Sequence, residues 1–212
     1  MEMPENESTV AFEKGRMEAL TDGVFAFAMT LLVTSMILPR SVVAVPGTSA
    51  AALVSLIPDF IHYIIAFFVL SGFWIAHHVQ FNQIRHLNRT FLSLSMIGLF
   101  FVTLVPFSTS FVGDYPDDAI AAIVFEANLL ILGMFFCFQW WYASRRHNLI
   151  HPEYPEVKIR EAMHRNMVIP IISLVAIALA LAGSDSSTLV YILIPPGMFL
   201  MRHFSARMAS RS

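Results

Sequence analysis

Charge and cysteine are scarce in this chain. Asp, Glu, Lys and Arg make up only 13% of its 212 residues, whereas hydrophobic residues make up 57% and the mean hydropathy is +0.66. A formal net charge of -2 lacks the basic excess that neutralises phosphate, which argues against nucleic acid as a partner. Because Cys137 is the single cysteine, no disulfide forms within the chain, and its small side chain is predicted to pack in the core. This composition predicts an integral membrane protein.

Six long apolar stretches alternate with short segments that contain turn residues. Each stretch is close to the length of about 20 residues that a helix needs to cross the hydrocarbon core. The first dozen residues are acidic and polar, which is the wrong sign for a secretory signal, and no internal repeat is visible. The predicted spans are residues 18–38, 52–79, 89–112, 117–144, 159–182 and 187–205.

The predicted fold class is therefore all-α, a polytopic membrane protein with six transmembrane helices per subunit. We expect a mobile N-terminal tail over residues 1–15, a six-helix transmembrane domain over 16–205 and a short C-terminal tail over 206–212. Lys and Arg near span ends are retained in the cytoplasm. With the N-terminus inside, twelve of the thirteen basic residues are cytoplasmic and only Arg40 is outside. A multi-pass protein of the cell membrane with both termini cytoplasmic is predicted.

The first span carries a stripe of mixed residues along one face. At about 100° of rotation per residue, the seven members of this stripe fall on one face of the helix. Asp22 and Met29 point roughly 120° away from the centre of the stripe. A lipid-facing surface seldom carries two Thr hydroxyls and a Gly, but a helix contact or a pore lining accepts both. Periodicity leaves these two interpretations open. The members of the stripe are Arg16, Leu20, Gly23, Phe27, Thr30, Leu31 and Thr34.

The same helix begins with a recognisable motif. The run from Arg16 to Ala26, with Leu20, Thr21 and Asp22 at its centre, resembles the signature of the transmembrane protein 175 family of potassium channels: Arg, three residues, then Phe-Ser-Asp. The resemblance covers residues 14 to about 115 well and the remainder mainly by topology. Further matches lie at Phe73-Trp74 with His77-His78, at Asn88-Arg89 and at Pro106-Phe107.

The resemblance implies an architecture and an activity. Prokaryotic members of the family have six helices per subunit and form homotetramers whose four first helices line a central pore. The resemblance therefore implies a channel for potassium and other monovalent cations in the lipid bilayer. It implies no cofactor, metal or catalytic group.

The family's pore layers map onto the stripe by position after Asp22. The narrowest apolar layer, five positions on, maps to Phe27, a hydroxyl layer maps to Thr30, and a second apolar layer maps to Leu31. An apolar ring can gate by dewetting, because it offers nothing to replace the hydration shell of an ion. Thr34 stands where members often carry a third apolar layer, so the outward half of the pore is expected to be wetter. The stripe has neither a carbonyl filter nor an acidic residue, which implies modest selectivity for potassium over sodium.

Three further departures from the family pattern affect the same helix. Leu20 and Thr21 replace the usual Phe and Ser, but they keep an apolar residue and a hydroxyl. Phe27 replaces an aliphatic residue, so its bulkier ring is expected to seal the pore more completely or to swing aside as the gate.

A structural network is predicted around the signature. Arg16 and Asp22 are six residues and about 120° apart, which makes a direct pair within the helix unfavourable. Their partners are expected on the second and third spans, which end at the same depth. Because a buried carboxylate is usually paired, a network that braces the pore helix is favoured over a direct ion site. The predicted members are Arg16, Thr21, Asp22, Trp74, His77 and Asn88, with His78 and Asn82 also in reach.

Other polar residues within spans have several interpretations. Asp59, His62 and Glu126 could contact one another or line a vestibule, although Pro58-Asp59 also suits the first turn of a helix that starts later than residue 52. For Glu126, internal pairing is favoured over a proton or ion role. Pro170 and Pro195-Pro196 are expected to bend the fifth and sixth helices.

Two other classes of protein remain as alternatives. A membrane metalloenzyme would use the histidines on the cytoplasmic side as ligands, but only one adjacent pair stands among them and no set of histidine boxes is present. A secondary transporter usually shows internal repeats, which are not visible here. The cytoplasmic histidines are His77, His78, His86, His147, His151, His164 and His203.

Overall fold

The computed structural model describes residues 5–34, 36, 47–184 and 186–194, with side chains from residue 14 onward. Over these residues the chain is helical, and its one isolated β-bridge joins Ile84 to Ile150. The α-helices are α1 Glu5–Thr34, α2 Ser49–Ser55, α3 Ile57–Phe81, α4 Arg89–Asp114, α5 Ala119–Ser144 and α6 Glu156–Leu181. Two 3-10 turns, Arg145–His147 and Ser187–Leu193, complete the described elements.

Within the described residues, five helical segments are long and apolar enough to cross a membrane, and they correspond to the first five predicted spans. The sixth predicted span, 187–205, is described only as far as residue 194, where it forms a 3-10 turn. The predicted bend at Pro195-Pro196 lies outside the described residues. The five segments are Lys14–Thr34, Ile57–Phe81, Arg89–Asp114, Ala119–His147 and Glu156–Leu181.

Two helix starts differ from the predicted boundaries. The helix α1 begins at Glu5 rather than at residue 18, so helical structure precedes the apolar run. The second span is not one helix from residue 52, because α2 ends at Ser55 and α3 starts at Ile57 with Pro58 and Asp59 in its first turn. Proline has no N–H and suits this position, so the predicted first-turn role of Asp59 is confirmed. The domain boundaries stay predictions.

Side-chain caps start the two central helices. The Asn88 carboxamide oxygen accepts from the Phe91 N–H at 2.9 Å and begins α4. The Asp118 carboxylate accepts from the Ile120 N–H at 2.7 Å and begins α5. Short polar side chains at this position satisfy N–H groups that have no partner within the helix.

Small residues let helices approach closely. A Cβ atom added to Gly133 on α5 would lie 2.8 Å from Cδ of Pro170 on α6, and one added to Gly113 would lie 2.5 Å from Oδ1 of Asp59. Glycine is required at position 133, because the rigid proline ring cannot move aside, whereas the terminal carboxylate of Asp59 can rotate away from position 113. The helix α6 continues through Pro170, and the predicted bend there stays a prediction.

The centre of the subunit is formed by α5, which packs extensively against α4 and α6, while α1 packs against α3 and α4. Cys137 lies on α5 but is only half-buried, with its Sγ 3.6 Å from Sδ of Met167. The predicted core position of this cysteine is therefore only partly correct. Fully buried side chains on α5 include Phe125, Leu129, Leu132 and Trp140.

Candidate functional site

The helix α1 has one packed face and one open face. Phe25 and Leu32 on the packed face are fully buried, whereas 64% of the Phe27 surface is exposed. Thr30 and Thr34 are exposed with Phe27, and Leu31 is half-buried at the edge. The open face includes the predicted stripe but is wider than it, because Asp22, Ala26 and Val33 are exposed as well. The buried residues lie roughly a third of a turn away, at Met17, Thr21, Phe25, Ala28 and Leu32.

The open face is uncharged along its apolar part. The hydroxyl of Thr30 donates to the Phe27 carbonyl at 2.8 Å, and that of Thr34 donates to the Leu31 carbonyl at 2.7 Å. Each hydroxyl proton is therefore used within the helix, while the hydroxyl oxygen keeps lone pairs that can accept from water or contact a cation. No acidic or basic residue occurs from Gly23 to Thr34.

The carboxylate of Asp22 has a partner on α3. The indole Nε1 of Trp74 donates to Oδ1 of Asp22 at 2.8 Å. The Trp74 ring stacks on His78 with a centroid distance of 5.9 Å and an interplanar angle of 28°. This contact ties α1 to α3 at Asp22, in the second half of α1.

The other predicted members of the signature network make contacts of their own. The buried Thr21 hydroxyl donates to the Met17 carbonyl at 2.9 Å, within α1. His77 is buried and stacks on the Phe81 ring at 5.0 Å. Besides capping α4, Asn88 donates to the Tyr142 hydroxyl at 2.9 Å. Arg16 is exposed. The structure thus joins Asp22 to Trp74 and assigns Thr21 and Asn88 to helix and capping contacts.

Lys14 makes a contact that the sequence did not predict. Its Nζ donates to the Ile84 carbonyl at 2.7 Å and lies 5.8 Å from the centroid of the Phe81 ring. This contact links the start of the apolar part of α1 to the loop between α3 and α4. A single lysine before the signature gives no signal of a partner so distant in sequence.

Mutual contact was one interpretation of three polar residues within the spans, and two of them, Glu126 and His62, instead contact residues 187 and 188. Glu126 is fully buried, and Ser187 donates to its Oε1 at 2.6 Å. His62 Nε2 lies 3.1 Å from the hydroxyl of the adjacent Thr188. Asp59 instead packs against α4 at Gly113. The turn at 187–193 therefore bridges α3 and α5.

The residues that the structure describes offer few candidate ligands for a metal ion. No group of three or more His, Cys, Asp or Glu side chains within that part of the chain could hold a metal ion. His77 is packed among aromatic rings, and His203 lies outside the described residues.

The five apolar helices with their single packed core define a multi-pass α-helical membrane protein. Residues 16–106 match the family described as the endosomal/lysosomal potassium channel TMEM175. A potassium channel of Streptomyces collinus is 32% identical over 144 residues, which are 66% of this chain and 69% of that protein. The chain belongs to the TMEM175 family, as a prokaryotic member.

Structural comparison agrees with this assignment. The crystal structure of a lysosomal potassium-selective channel TMEM175 homolog from Chamaesiphon minutus superposes with a TM-score of 0.74 and 28% identity, covering 92% of this chain and 97% of that one. The mouse endosomal/lysosomal proton channel TMEM175 is 28% identical over 213 residues, but these are only 42% of its length. These relatives are channels and not enzymes, which removes support from the metalloenzyme interpretation.

Proposed function

We propose that this chain is one subunit of a homotetrameric, potassium-permeable cation channel of the cell membrane. Each subunit contributes six transmembrane helices, and α1 of the four subunits lines the pore. Family membership and the channel names of the relatives support the permeant ion. The basic residues of the loops support a topology with both termini in the cytoplasm.

The open face of α1 is the observation that carries this proposal. Phe27 is 64% exposed in the subunit although Phe25, two residues away, is fully buried. Two hydroxyls, of Thr30 and Thr34, share the open face with Phe27. Lipid offers no partner to hydroxyl oxygens, whereas water in a pore does. Four copies of α1 around an axis give this face an aqueous environment.

The constriction is formed by Phe27, with Leu31 as a second apolar layer and Thr30 between them. A narrow ring of four Phe side chains excludes water and therefore blocks hydrated ions until the rings move apart. The Thr30 and Thr34 oxygens supply weak ligands on the outward side. A site of this kind distinguishes potassium from sodium only modestly, because it does not replace a full hydration shell.

The Asp22–Trp74 hydrogen bond has a bracing role in this mechanism. It holds the inner end of the pore helix against α3, so that the four constriction residues meet at the same height. Arg16 belongs to the same end of α1 by position. The gate then moves by rotation of side chains or of the helix above a fixed base.

Cysteine accessibility distinguishes a pore face from a lipid face. In a Cys137→Ser background, Thr30→Cys is expected to react with a charged, water-soluble thiol reagent and to lose current. Val33→Cys is the matched control, because Val33 is also exposed on α1, at 50%, but lies outside the stripe. Equal reactivity and equal loss of current at the two positions would contradict the proposed pore face.

A further inference from the structure

The loops α3–α4 and α5–α6 are joined side by side at one end of the bundle. The Arg85 N–H donates to the Leu149 carbonyl at 2.7 Å, next to the β-bridge between Ile84 and Ile150. A second backbone hydrogen bond between the two loops runs from the His151 N–H to the Gln83 carbonyl at 3.2 Å. Both bridge residues are buried, so these paired loops are fixed against the bundle.

Positive charge is concentrated on the paired loops. Arg85 and Arg89 lie on the first loop and at the start of α4, and Arg145 and Arg146 begin the second loop; all four are exposed. Against these four arginines stand Glu153 in the α5–α6 loop and Glu156 at the start of α6, and the α3–α4 loop has no acidic residue. The surface therefore attracts anions.

Exposed aromatic rings border this charge where α5 ends. The Arg145 guanidinium lies 5.0 Å from the centroid of the Trp141 ring, and Phe138 stacks on Trp141 at 5.5 Å. Trp141 is 42% exposed, whereas the neighbouring Trp140 is buried and donates to the Ile159 carbonyl at 3.1 Å. Exposed Trp side chains at the end of a span lie at the level of the lipid headgroups.

The 3-10 turn that follows α5, Arg145–His147, has an unusual backbone conformation. Arg146 and His147 have φ values of +54° and +53°, in the left-handed region that residues with a side chain rarely adopt. His147 is held in place by the Tyr154 carbonyl at 3.0 Å and by the Glu156 carboxylate at 3.7 Å. Strained conformations of this kind persist where surrounding contacts enforce them, and they cluster at ligand-binding sites.

We propose that the paired loops and the end of α5 bind the phosphate of an anionic phospholipid, with Arg145 and Trp141 at the centre of the site. The adjoining exposed rings favour a lipid over a free phosphate, because acyl chains pack beside them while the headgroup meets the arginines. The site also contacts α1, since Lys14 donates to the carbonyl of Ile84 in the same loop. The inference concerns binding and does not depend on the proposed pore.

Quenching of tryptophan fluorescence by brominated lipids measures this binding on the full-length protein. Brominated phosphatidylglycerol is expected to quench Trp141 at a lower mole fraction than brominated phosphatidylcholine. Comparison with the Trp141→Phe variant shows how much of the quenched fluorescence comes from Trp141. Arg145→Gln is expected to lower the preference for phosphatidylglycerol by about fivefold, the size of one basic residue's attraction to anionic lipid.

Arg160→Gln is the matched control, because it removes an exposed arginine from α6, outside the paired loops. It should leave the preference unchanged. If Arg145→Gln does not fold, Arg85→Gln serves as the second variant and should lower the preference in the same direction. An unchanged preference in the loop variants overturns the proposal, as does an equal fall in Arg160→Gln, which would indicate diffuse attraction. If added inorganic phosphate displaced the brominated lipid and restored the fluorescence of Trp141, the acyl chains would not be required for binding. That result would also overturn the proposal.

Discussion

Truncation of the Phe27 side chain tests whether this residue controls the ion current without contributing much to the stability of the fold. Phe→Ala at a fully buried position costs about 3–5 kcal/mol of folding free energy. Phe27 is 64% exposed in the subunit, so only about a third of that cost, roughly 1–2 kcal/mol, is expected from contacts within the subunit. Phe25 is fully buried, and Phe25→Ala is therefore expected to carry the full cost.

The effect on conductance should be larger for Phe27→Ala than for Phe25→Ala, the opposite of the effect on stability. Phe27→Ala removes the ring that closes the water column, so larger single-channel currents and weaker block at rest are expected. Phe25→Ala leaves the constriction in place and is expected to reduce the amount of folded protein instead. The same residue type, two positions apart on opposite faces of α1, makes the two variants a matched pair.

The assay is single-channel recording in planar bilayers with potassium and sodium on opposite sides, together with thermal unfolding of the purified variants. Phe27→Ala is expected to change the current with little loss of stability, and Phe25→Ala is expected to lose stability with little change in the current of the channels that do fold. Unchanged conductance and ion preference in Phe27→Ala would remove this residue from the permeation path.

Three further predictions concern the rest of α1 and the contact between α5 and α6. Thr30→Val is expected to alter the potassium-to-sodium permeability ratio more than Met29→Val, because only Thr30 lies on the stripe; equal effects, read from reversal potentials, would refute that helix phase. Asp22→Ala removes the acceptor of the 2.8 Å indole hydrogen bond, and a loss of about 0.5–1.5 kcal/mol per subunit should lower the yield of assembled oligomer in size-exclusion chromatography; normal assembly would contradict the bracing role. Gly133→Ala places a Cβ 2.8 Å from a proline ring and should lower the unfolding temperature, whereas Gly72→Ala, with no atom within 4 Å, should not; a common response in thermal unfolding would contradict the close contact.

The helices could be predicted from the sequence because their signal is local. Long apolar runs place the five apolar segments within a few residues of their ends, although α1 itself begins well before its apolar segment, at Glu5. The break before α3 was signalled by Pro58, whose missing N–H restricts it to the first turn. Spacing places the stripe residues on one face of α1, since residues that share a helix face are three or four apart, but it left open whether that face packs against another helix.

The contacts between helices could not be predicted in the same way. Trp74 was expected near Asp22 only because two spans end at one depth, whereas nothing in the sequence singled out Ser187 as the partner of Glu126. The rotation of each helix about its axis decides such pairs, and the apolar faces of membrane helices are too uniform to reveal that rotation. The contact of Lys14 with a loop carbonyl depends on backbone geometry and leaves no trace in residue type.

The oligomer provides the most direct measurement of the central claim. An electron cryomicroscopy map of the purified protein in lipid should contain four copies related by a rotation axis, with the side chains of residue 27 facing that axis and narrowing it. A map in which residue 27 contacts acyl chains, or in which a subunit stands alone, would contradict the account.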